Sequence, residues 1–410
     1  MGSIKSGTKR YRQINLAFFA AGFVTFITLY DVQPLLPVFS GEFGVSAALG
    51  SLPLSLTTCA LAFSMLFAGT ISESFGRKRV MVASLVLTSL LALLSSLSYT
   101  FPALLALRLL QGIALAGLPA VAMAYLSEEI APASLTSAIG LYISGNAIGG
   151  MTGRIFTATA AEFTSWRVAL GAIGVFCLIL SLFFAKSLPP SANFSRRPFA
   201  VRYLFSSLVK QLQDPGLICL YGISFLVMGS FVTLYNYITF RLLAPPYYLS
   251  PSLVSWIFLV YLLGSFSSSM IGRQVERFGR SRMLLIALGT MAVGALVTLS
   301  RDVPVIVTGI AVFTCGFFGA HTIASSWVGL RARTARAQAA SLYLFCYYLG
   351  SSVSGTVGGL FWSSYGWNGV ILLILALLGT GLCLFKRLAK LSEADSAAKG
   401  TITSFGALRS

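Results

Sequence analysis

The residue of this chain best placed to do chemistry is a single acid inside a long apolar segment. Asp31 lies in the run near 14–37 and is the only aspartate or glutamate well inside such a run. A carboxylate among apolar groups is costly to bury and is therefore a functional candidate, here as a proton carrier. The alternative is structural, with Asp31 satisfying backbone groups freed near Pro34 and Pro37. Both interpretations stay open at this stage.

Basic residues in other apolar runs form the second chemical group. Arg108 would lie about 9 Å inside the outer end of its helix, at 1.5 Å per residue. It either meets a partner inside the protein or extends to the outer surface. Arg154 lies near the outer end of another run. His321, the only histidine, titrates near neutral pH. It is a candidate second proton site or substrate contact, with a hydrogen-bonded packing role as the alternative.

Only membrane-spanning helices can position these residues. The chain has 410 residues, of which 56% are hydrophobic and 10% charged, and its mean hydropathy is +0.85. A soluble domain has roughly 45–50% apolar and about 25% charged residues. The fold class predicted is therefore an all-α membrane protein without a soluble catalytic domain. About twelve runs approach the length of about 20 residues that a span needs, near 14–37, 50–72, 80–98, 102–125, 136–160, 167–186, 216–240, 251–272, 283–300, 303–327, 338–361 and 368–385.

The net charge of +18 reflects membrane orientation rather than nucleic-acid binding. Twelve spans place both termini on one side. If that side is the cytoplasm, about 24 of the 29 lysines and arginines lie in cytoplasmic segments. The outer loops keep only Arg167, Arg241 and Arg301. This bias predicts cytoplasmic termini and no nucleic-acid partner.

One tract repeats at half the length of the chain. Residues 69–79, GTISESFGRKR, return as residues 272–282, GRQVERFGRSR, about 203 positions later. In so hydrophobic a chain, this repeat predicts two homologous bundles fused in one polypeptide. The loop between them holds either an interfacial helix or an irregular basic linker. The predicted divisions are a cytoplasmic N-terminus at 1–13, a six-helix bundle at 14–186, a central cytoplasmic loop at 187–215, a second bundle at 216–385 and a cytoplasmic tail at 386–410.

The repeated tract resembles the signature loop of the major facilitator superfamily, G-x-L-a-D-r-x-G-r-k. Glu replaces the usual Asp in both copies, and Ser74 stands where Arg is usual in the first. The resemblance covers the whole chain. It implies twelve helices in two pseudo-symmetric six-helix bundles, and a loop that latches the halves on the cytoplasmic side. The alternative is that its basic residues serve topology alone. The latch candidates are Gly69, Glu73, Gly76, Arg77 and Lys78, and Gly272, Glu276, Arg277, Gly279 and Arg280.

The residue types in this loop suggest a role for each of its parts. Gly69 and Gly272 are expected to let helix backbones approach closely. Gly76 and Gly279 permit the tight turn between helices. The acid of each copy can face the N-terminal end of a helix from the opposite half. The basic run from Arg77 onwards can pair with Glu128 or Glu129.

Two more helices resemble motifs of the family. The tract from Arg108 to Gly117 is similar to R-x-x-q-G-x-g, which the family links to proton coupling. The fifth helix resembles the antiporter motif g-x-x-x-G-P-x-x-G-G, with Asn in place of Pro. This likeness implies export and a tight contact of the glycine face with the other half, and ordinary small-residue packing is the alternative. Because helices one and five are neighbours in this fold, Asp31, Arg108 and Arg154 are expected to form one cluster. The antiporter-motif residues are Gly145, Asn146, Gly149 and Gly150.

The tract from Tyr30 to Pro37, YDVQPLLP, resembles the acriflavine-sensitivity and arabinose-efflux-like branch of proton-driven drug exporters. The resemblance implies an exporter of a small organic compound, whether drug-like, a sugar or a siderophore, in exchange for protons. Import by proton symport and a non-transporting receptor or scaffold are the alternatives. Candidate substrate-cavity residues are Gln33, Tyr235, Asn236 and Tyr347.

Motifs of other chemistry are absent from the sequence. There is no phosphate-binding G-x-x-x-x-G-K-[ST] loop, no HExxH, no GxSxG and no CxxC. We therefore expect no enzyme activity, no metal and no cofactor, with the proton gradient as the energy source. The expected partners are the lipid bilayer, the substrate and protons. The expected form is a monomer in the cell inner membrane.

Overall fold

The computed structural model describes residues 4–194, 201–332 and 335–407, and these are almost entirely helical. The only pairing of extended backbone there is one bridge between Ile4 and Ile130. The helices are α1 (Lys9–Tyr30), α2 (Leu36–Phe43), α3 (Ala47–Gly50), α4 (Leu52–Phe75), α5 (Arg77–Ser95), α6 (Phe101–Leu115), α7 (Pro119–Glu129), α8 (Pro132–Phe163), α9 (Trp166–Ser187), α10 (Val201–Gln211), α11 (Pro215–Leu243), α12 (Pro251–Ser255), α13 (Val260–Phe278), α14 (Arg280–Val297), α15 (Val303–Arg331) and α16 (Arg336–Ala407), with 3₁₀ turns at Gln33–Leu35 and Trp256–Leu259.

Twelve spans can be traced through these helices. Ten stretches of the described residues are long and apolar enough to cross a membrane. One further span is α8, which is less apolar because it is rich in glycine, serine and threonine. Another arises because the stretch Arg336–Ser392 holds two spans, divided at Gly366, where φ is 59° and ψ is −147°. The described residues thus hold twelve spans, and the all-helical, twelve-span prediction is confirmed.

Prolines interrupt the first and fourth spans. After α1 ends, a 3₁₀ turn at Gln33–Leu35 leads into α2, and Pro34 within the turn cannot donate a backbone hydrogen bond. The fourth span breaks in the same way between α6 and α7, which begins at Pro119. The first break places Asp31 at the C-cap of α1, where the last helical carbonyls have no donor within the helix.

The helices divide into two compact units, each described by itself. The first comprises 1–201, 232–261 and 351–370. Its core surrounds α1, which packs on α5, α8 and α9. The buried ring of Phe18 lies at the centre, 5.4 Å from the ring of Tyr125, 5.8 Å from that of Phe184 and 6.2 Å from that of Tyr142. Such edge and tilted arrangements stabilise aromatic cores beyond simple area burial.

The second unit comprises 202–231, 262–350 and 371–410. In this unit α14 and α15 pack closely, because small residues bring the two backbones together. A Cβ on Gly316 would lie 2.7 Å from the backbone nitrogen of Met291. Nearby, the rings of Phe231 and Phe317 stack with centroids 3.7 Å apart.

The segment predicted as either an interfacial helix or an irregular linker contains the helix α10. Leu204 and Leu208 are buried, whereas Phe205, Val209 and Leu212 are exposed. The helix therefore has one packed face and an exposed apolar stripe. That this stripe lies on the membrane surface remains a prediction.

Candidate functional site

The break after α1 brings Asp31 into an ion pair with Arg108 of α6. Their Oδ1 and Nη1 atoms are 3.1 Å apart, and both side chains are 1% exposed. Arg108 therefore faces a partner inside the protein and does not extend to the outer surface. Removing two charges from water is favourable only when further hydrogen bonds satisfy them.

Those further hydrogen bonds come mainly from the interrupted helices. Arg108 Nη1 donates to the Thr28 carbonyl at 3.1 Å, and Nη2 donates to the Leu29 carbonyl at 3.1 Å. Both carbonyls belong to the last turn of α1, where intrahelical donors are lacking. Nε donates to the Pro53 carbonyl at 3.2 Å, and Nη1 to Gln111 Oε1 at 2.8 Å. Arg108 is thus held by four groups besides the carboxylate.

Asp31 itself is less completely satisfied. Its Oδ1 accepts from Arg108, but its Oδ2 is buried and accepts no hydrogen bond from any residue in the described ranges. A buried oxygen without a donor is a position where a proton can be added without breaking an existing hydrogen bond.

Arg154 forms a separate cluster built on the same turn. Its Nε donates to Gln33 Oε1 at 2.6 Å, and Gln33 Nε2 donates to Asn236 Oδ1 at 2.8 Å. The guanidinium lies 4.0 Å from the ring centroid of Tyr30 and 4.8 Å from that of Tyr261. Within the described residues, Arg154 has no carboxylate partner. The single cluster expected for Asp31, Arg108 and Arg154 is therefore wrong. Arg154 is hydrogen-bonded to Gln33, and only Arg108 pairs with Asp31.

Contacts at the helix ends predicted to be outer join the two halves of the sequence. All of those described below lie in the first unit, which includes residues 232–261 and 351–370. Besides Gln33 and Asn236, Thr356 donates to Ser55 Oγ at 2.9 Å, and the backbone N–H of Ser252 donates to Glu162 at 2.7 Å. This backbone donor lowers the pKa of Glu162. This contact was not among the predictions, although the sequence held a signal for it: Ser250 before Pro251 marks a helix start, which places a backbone donor there.

The glycine face of α8 packs against α1 within the same half. A Cβ on Gly145 would meet the backbone of Phe19, and one on Gly149 would lie 2.7 Å from Phe23 Cα. Asn146 lies against Gly22, and the Gly150 carbonyl accepts from Arg154 Nη1 at 2.7 Å. The expected contact of these glycines with the other half is therefore wrong. Gly359 of α16 does make a contact with the other half, because a Cβ built on it would meet the backbone of Ala48.

The first copy of the repeated loop is a closed polar network. Gly76, at φ 97°, is the N-cap of α5. Arg77 Nη2 lies 2.8 Å from Glu128 Oε1 and 3.8 Å from Glu73 Oε1, and Nη1 donates to Ser72 Oγ at 2.6 Å. Lys78 is half-buried beside this network.

Two expectations for the first copy need correction. No atom lies within 4 Å of a Cβ built on Gly69, so the close helix approach expected there is wrong. Glu129 accepts from the backbone nitrogens of Ala192 at 2.6 Å and Asn193 at 2.9 Å, so of the two acids offered to Arg77 only Glu128 pairs with it.

The second copy has the same backbone turn and different side-chain contacts. Gly279, at φ 81°, is the N-cap of α14. Glu276, Arg277 and Arg280 are exposed, and no salt bridge joins any of them to another residue of the described ranges. The surroundings of Gly272, within α13, lie outside the described residues.

His321 belongs to an aromatic cluster in the second unit. Its Nδ1 is 3.0 Å from the Tyr343 hydroxyl, and its ring centroid is 4.8 Å from that of Tyr347. Both His321 and Tyr347 are half-buried. By contrast Tyr235 is fully buried, stacked 5.6 Å from the ring of Phe258. Of the cavity candidates, Gln33, Tyr235 and Asn236 are thus enclosed by protein contacts in this structure.

Comparisons with known proteins agree with the geometry. The sequence model described as Major Facilitator Superfamily matches residues 15–242 and 218–410. The chain is 51% identical over 390 residues to the uncharacterized MFS-type transporter YybF of Bacillus subtilis, covering 95% of this chain and 96% of that protein. It is 46% identical over 390 residues to the inner membrane transport protein YnfM of Escherichia coli, covering 94% and 93%.

Solved structures point to the same fold. The nucleoside transporter NupG superposes with a TM-score of 0.72 at 14% identity, covering 92% of this chain and 99% of that one. Twelve spans, the repeated loop and family-wide sequence similarity agree, and the chain belongs to the major facilitator superfamily as a non-enzymatic, multi-pass membrane transporter.

Proposed function

We propose that this transporter exports a small organic compound in exchange for protons, with Asp31 as the proton carrier. The observation that carries the proposal is the buried ion pair with Arg108, in which one carboxylate oxygen has no donor. An ionisable pair inside a membrane protein is a candidate for coupling by default.

Protonation of Asp31 would change the charge balance of a dry site. A proton added to Oδ2 removes the carboxylate charge, while Arg108 keeps its three backbone carbonyls and Gln111. The buried site then carries an uncompensated positive charge, which is unfavourable in a low-dielectric interior. The protonated state therefore favours a conformation in which this region is hydrated, and release of the proton restores the closed pair.

The turn at Gln33–Leu35 offers a link from Asp31 to the outer contacts. Gln33 follows Asp31 by two residues and bonds to both Arg154 and Asn236. We propose that the bonds of Gln33 with Asn236 and of Ser55 with Thr356 form an outer gate that opens once in each cycle. Separation of this gate would expose Gln33 and Asn236 to substrate, as alternating access requires.

On the cytoplasmic side, we propose that the network of Arg77, Glu73 and Glu128 acts as the latch. The second-half loop carries its weaker counterpart. The working parts would be the six-helix halves 14–186 and 216–385, joined through 187–215, in a monomer of the cell inner membrane.

Export is supported by the resemblance of the α8 glycines to the antiporter motif, and by the resemblance of the YDVQPLLP tract to the drug-exporter branch. His321 and Tyr347 are the proposed substrate contacts of the second half, because both are aromatic, polar and half-buried. The substrate class remains a small organic compound.

The proposal is tested with inverted membrane vesicles under an imposed pH gradient. A panel of cationic amphiphiles, sugars, amino acids and siderophores is offered, and uptake into the vesicle is measured together with proton movement. Asp31→Asn should leave insertion unchanged and reduce gradient-driven uptake by about 100-fold, in line with loss of a catalytic proton carrier. Asp302→Asn is the matched control, because Asp302 is exposed and makes no side-chain cap for α15.

Full gradient-driven uptake by Asp31→Asn would remove Asp31 as the carrier. Substrate movement in the same direction as protons would overturn export in favour of import on the same fold. Absence of gradient-driven movement of every compound in the panel, by a protein that is folded and inserted, would count against proton coupling.

A further inference from the structure

The second unit contains an open basic cleft beside the second copy of the repeated loop, at the end predicted to be cytoplasmic. The cleft has a volume of about 660 Å³. Its lining comes from helices that are distant in sequence, with Lys210 from α10, Arg280 from α14, and Trp327, Leu330 and Arg331 from α15, beside Asp214.

Only one of the three cations has its charge balanced. Asp214 Oδ1 lies 2.7 Å from Arg331 Nε, and the same oxygen accepts from the backbone nitrogens of Gly216 and Leu217 at the start of α11. Among the side chains that the structure describes, Lys210 and Arg280 have no acidic partner. The described lining thus holds three cations and one acid, a surplus of two positive charges.

The internal repeat shows which residue stands in place of the acid that pairs with the loop arginine of the first half. α7 ends at Glu129 and α15 ends at Arg331, and an extended C-cap residue follows each of them, so the two helix ends correspond. Glu128, which lies 2.8 Å from the loop arginine in the first half, therefore corresponds to Leu330. Glu129 corresponds to a base, Arg331, which lines the same cleft as the loop arginine of the second half. As far as the described side chains show, the second-half loop thus has no internal anion.

The backbone adds to the attraction for an anion. α14 is 18 residues long, and its N-cap is Gly279, so no side chain accepts from its first N–H groups. These N–H groups and the helix dipole favour negative charge at the helix start, where Arg280 also lies.

Apolar groups border the same cleft. Trp327 is half-buried, and Leu330 is 59% exposed at the cytoplasmic end of α15. α10, which supplies Lys210, exposes Phe205 and Val209, and Leu212 just after the helix is exposed as well. A free phosphate ion gains nothing from apolar side chains beside its site, whereas a lipid can pack its acyl chains against them.

We propose that this cleft binds the phosphate headgroup of an anionic phospholipid of the inner leaflet, such as phosphatidylglycerol or cardiolipin. The headgroup phosphate supplies the negative charge that Glu128 supplies in the first half. Basic clefts between spanning helices at the cytoplasmic surface suit this headgroup chemistry.

The test measures lipid binding to the purified full-length protein in neutral detergent. Phosphatidylglycerol is titrated while bound lipid is counted by native mass spectrometry, with phosphatidylcholine as the neutral comparison. Lys210→Gln combined with Arg280→Gln should weaken phosphatidylglycerol binding by about tenfold to thirtyfold, since each surface cation contributes to attraction of anionic lipid. Arg282→Gln is the matched control, because Arg282 is exposed on the same helix and does not line the cleft. It should change binding by less than about twofold.

A soluble arm separates the two sources of phosphate. Inorganic phosphate and glycerol phosphate are offered without lipid, and then as competitors. Failure of both to displace phosphatidylglycerol at millimolar concentration supports the lipid. Binding of inorganic phosphate as tightly as the lipid would overturn the lipid assignment, and so would equal phosphatidylglycerol affinity in the double variant and the wild type. Lys210→Gln alone provides a second variant if the double variant folds poorly.

Discussion

In the first copy of the repeated loop, Arg77 is tied to Glu128, Glu73 and Ser72, whereas the equivalent Arg280 in the second copy is exposed. Both arginines follow a glycine of positive φ that starts a helix. The backbone turn of the repeat is thus preserved in both halves, but the acid that neutralises the arginine is not. A repeated motif can keep its turn and lose its partner, because the turn is local and the partner comes from a distant helix.

The largest difference in stability is expected between a buried arginine that is paired with a carboxylate and an exposed arginine. Arg108→Gln leaves Asp31 buried and unpaired, so we expect a loss of about 3–5 kcal/mol in the free energy of unfolding. Arg280→Gln should stay within about 0.5 kcal/mol, since Arg280 is exposed. Thermal unfolding of both variants in detergent gives the comparison. Similar losses in the two would contradict the contrast between the halves.

At the glycines of closely packed helix pairs, we expect the two halves to lose similar stability. A Cβ on Gly149 would lie 2.7 Å from Phe23 Cα, and one on Gly350 would lie 2.7 Å from Phe225 Cα. Gly149→Leu and Gly350→Leu should each cost about 1–3 kcal/mol through overpacking of a helix pair. Gly140→Leu is the control, because no atom lies within 4 Å of a Cβ built there. A neutral Gly149→Leu would mean that α1 and α8 separate readily.

At the two glycine turns we expect a smaller loss of stability, and a loss of transport that differs between the two. Gly76→Val and Gly279→Val should each cost about 1–2 kcal/mol, because both glycines have positive φ. Stability should therefore fall equally in both variants. Transport should fall much further in Gly76→Val, because that turn holds the Arg77 network. Equal transport in the two variants would show that the network is not needed for the cycle.

The smallest effect is the coupling inside the loops themselves. A double-mutant cycle of Arg77→Gln with Glu128→Gln should give a coupling energy of about 0.5–1 kcal/mol, as expected for a partly exposed pair. The corresponding cycle of Arg280→Gln with Glu276→Gln should give none. Measurable coupling in the second cycle would show that the second copy also closes on itself in solution.

Several parts of this protein could be predicted because they depend on local sequence. The spans follow from runs of apolar residues, and the two turns follow from glycine in a short polar tract. Asp31 could be singled out because an acid in such a run is rare. The helix α10 could be offered only as one of two alternatives, since a short amphipathic segment is stable only against a surface.

The choice of partners could not be predicted in the same way. Arg108 and Arg154 both lie in helices near the first, and sequence position alone does not say which of them meets Asp31. Proline at position 34 breaks the helix so that Asp31 faces Arg108 and Gln33 faces Arg154. The glycines of α8 were readable as a smooth face, but which helix covers that face depends on packing.

Apolar length, positive-inside charge and the half-length repeat are properties of the chain itself. They determined the class and the twelve spans, and they predicted cytoplasmic termini. The tertiary structure decided which charges are neutralised. An ion pair depends on distances of a few ångströms between residues that are far apart in sequence, and Coulomb energy in a dry interior changes steeply over that range. For that reason Arg77 meets Glu128 across 51 positions, while Arg280 shares an open cleft with Arg331, a second base.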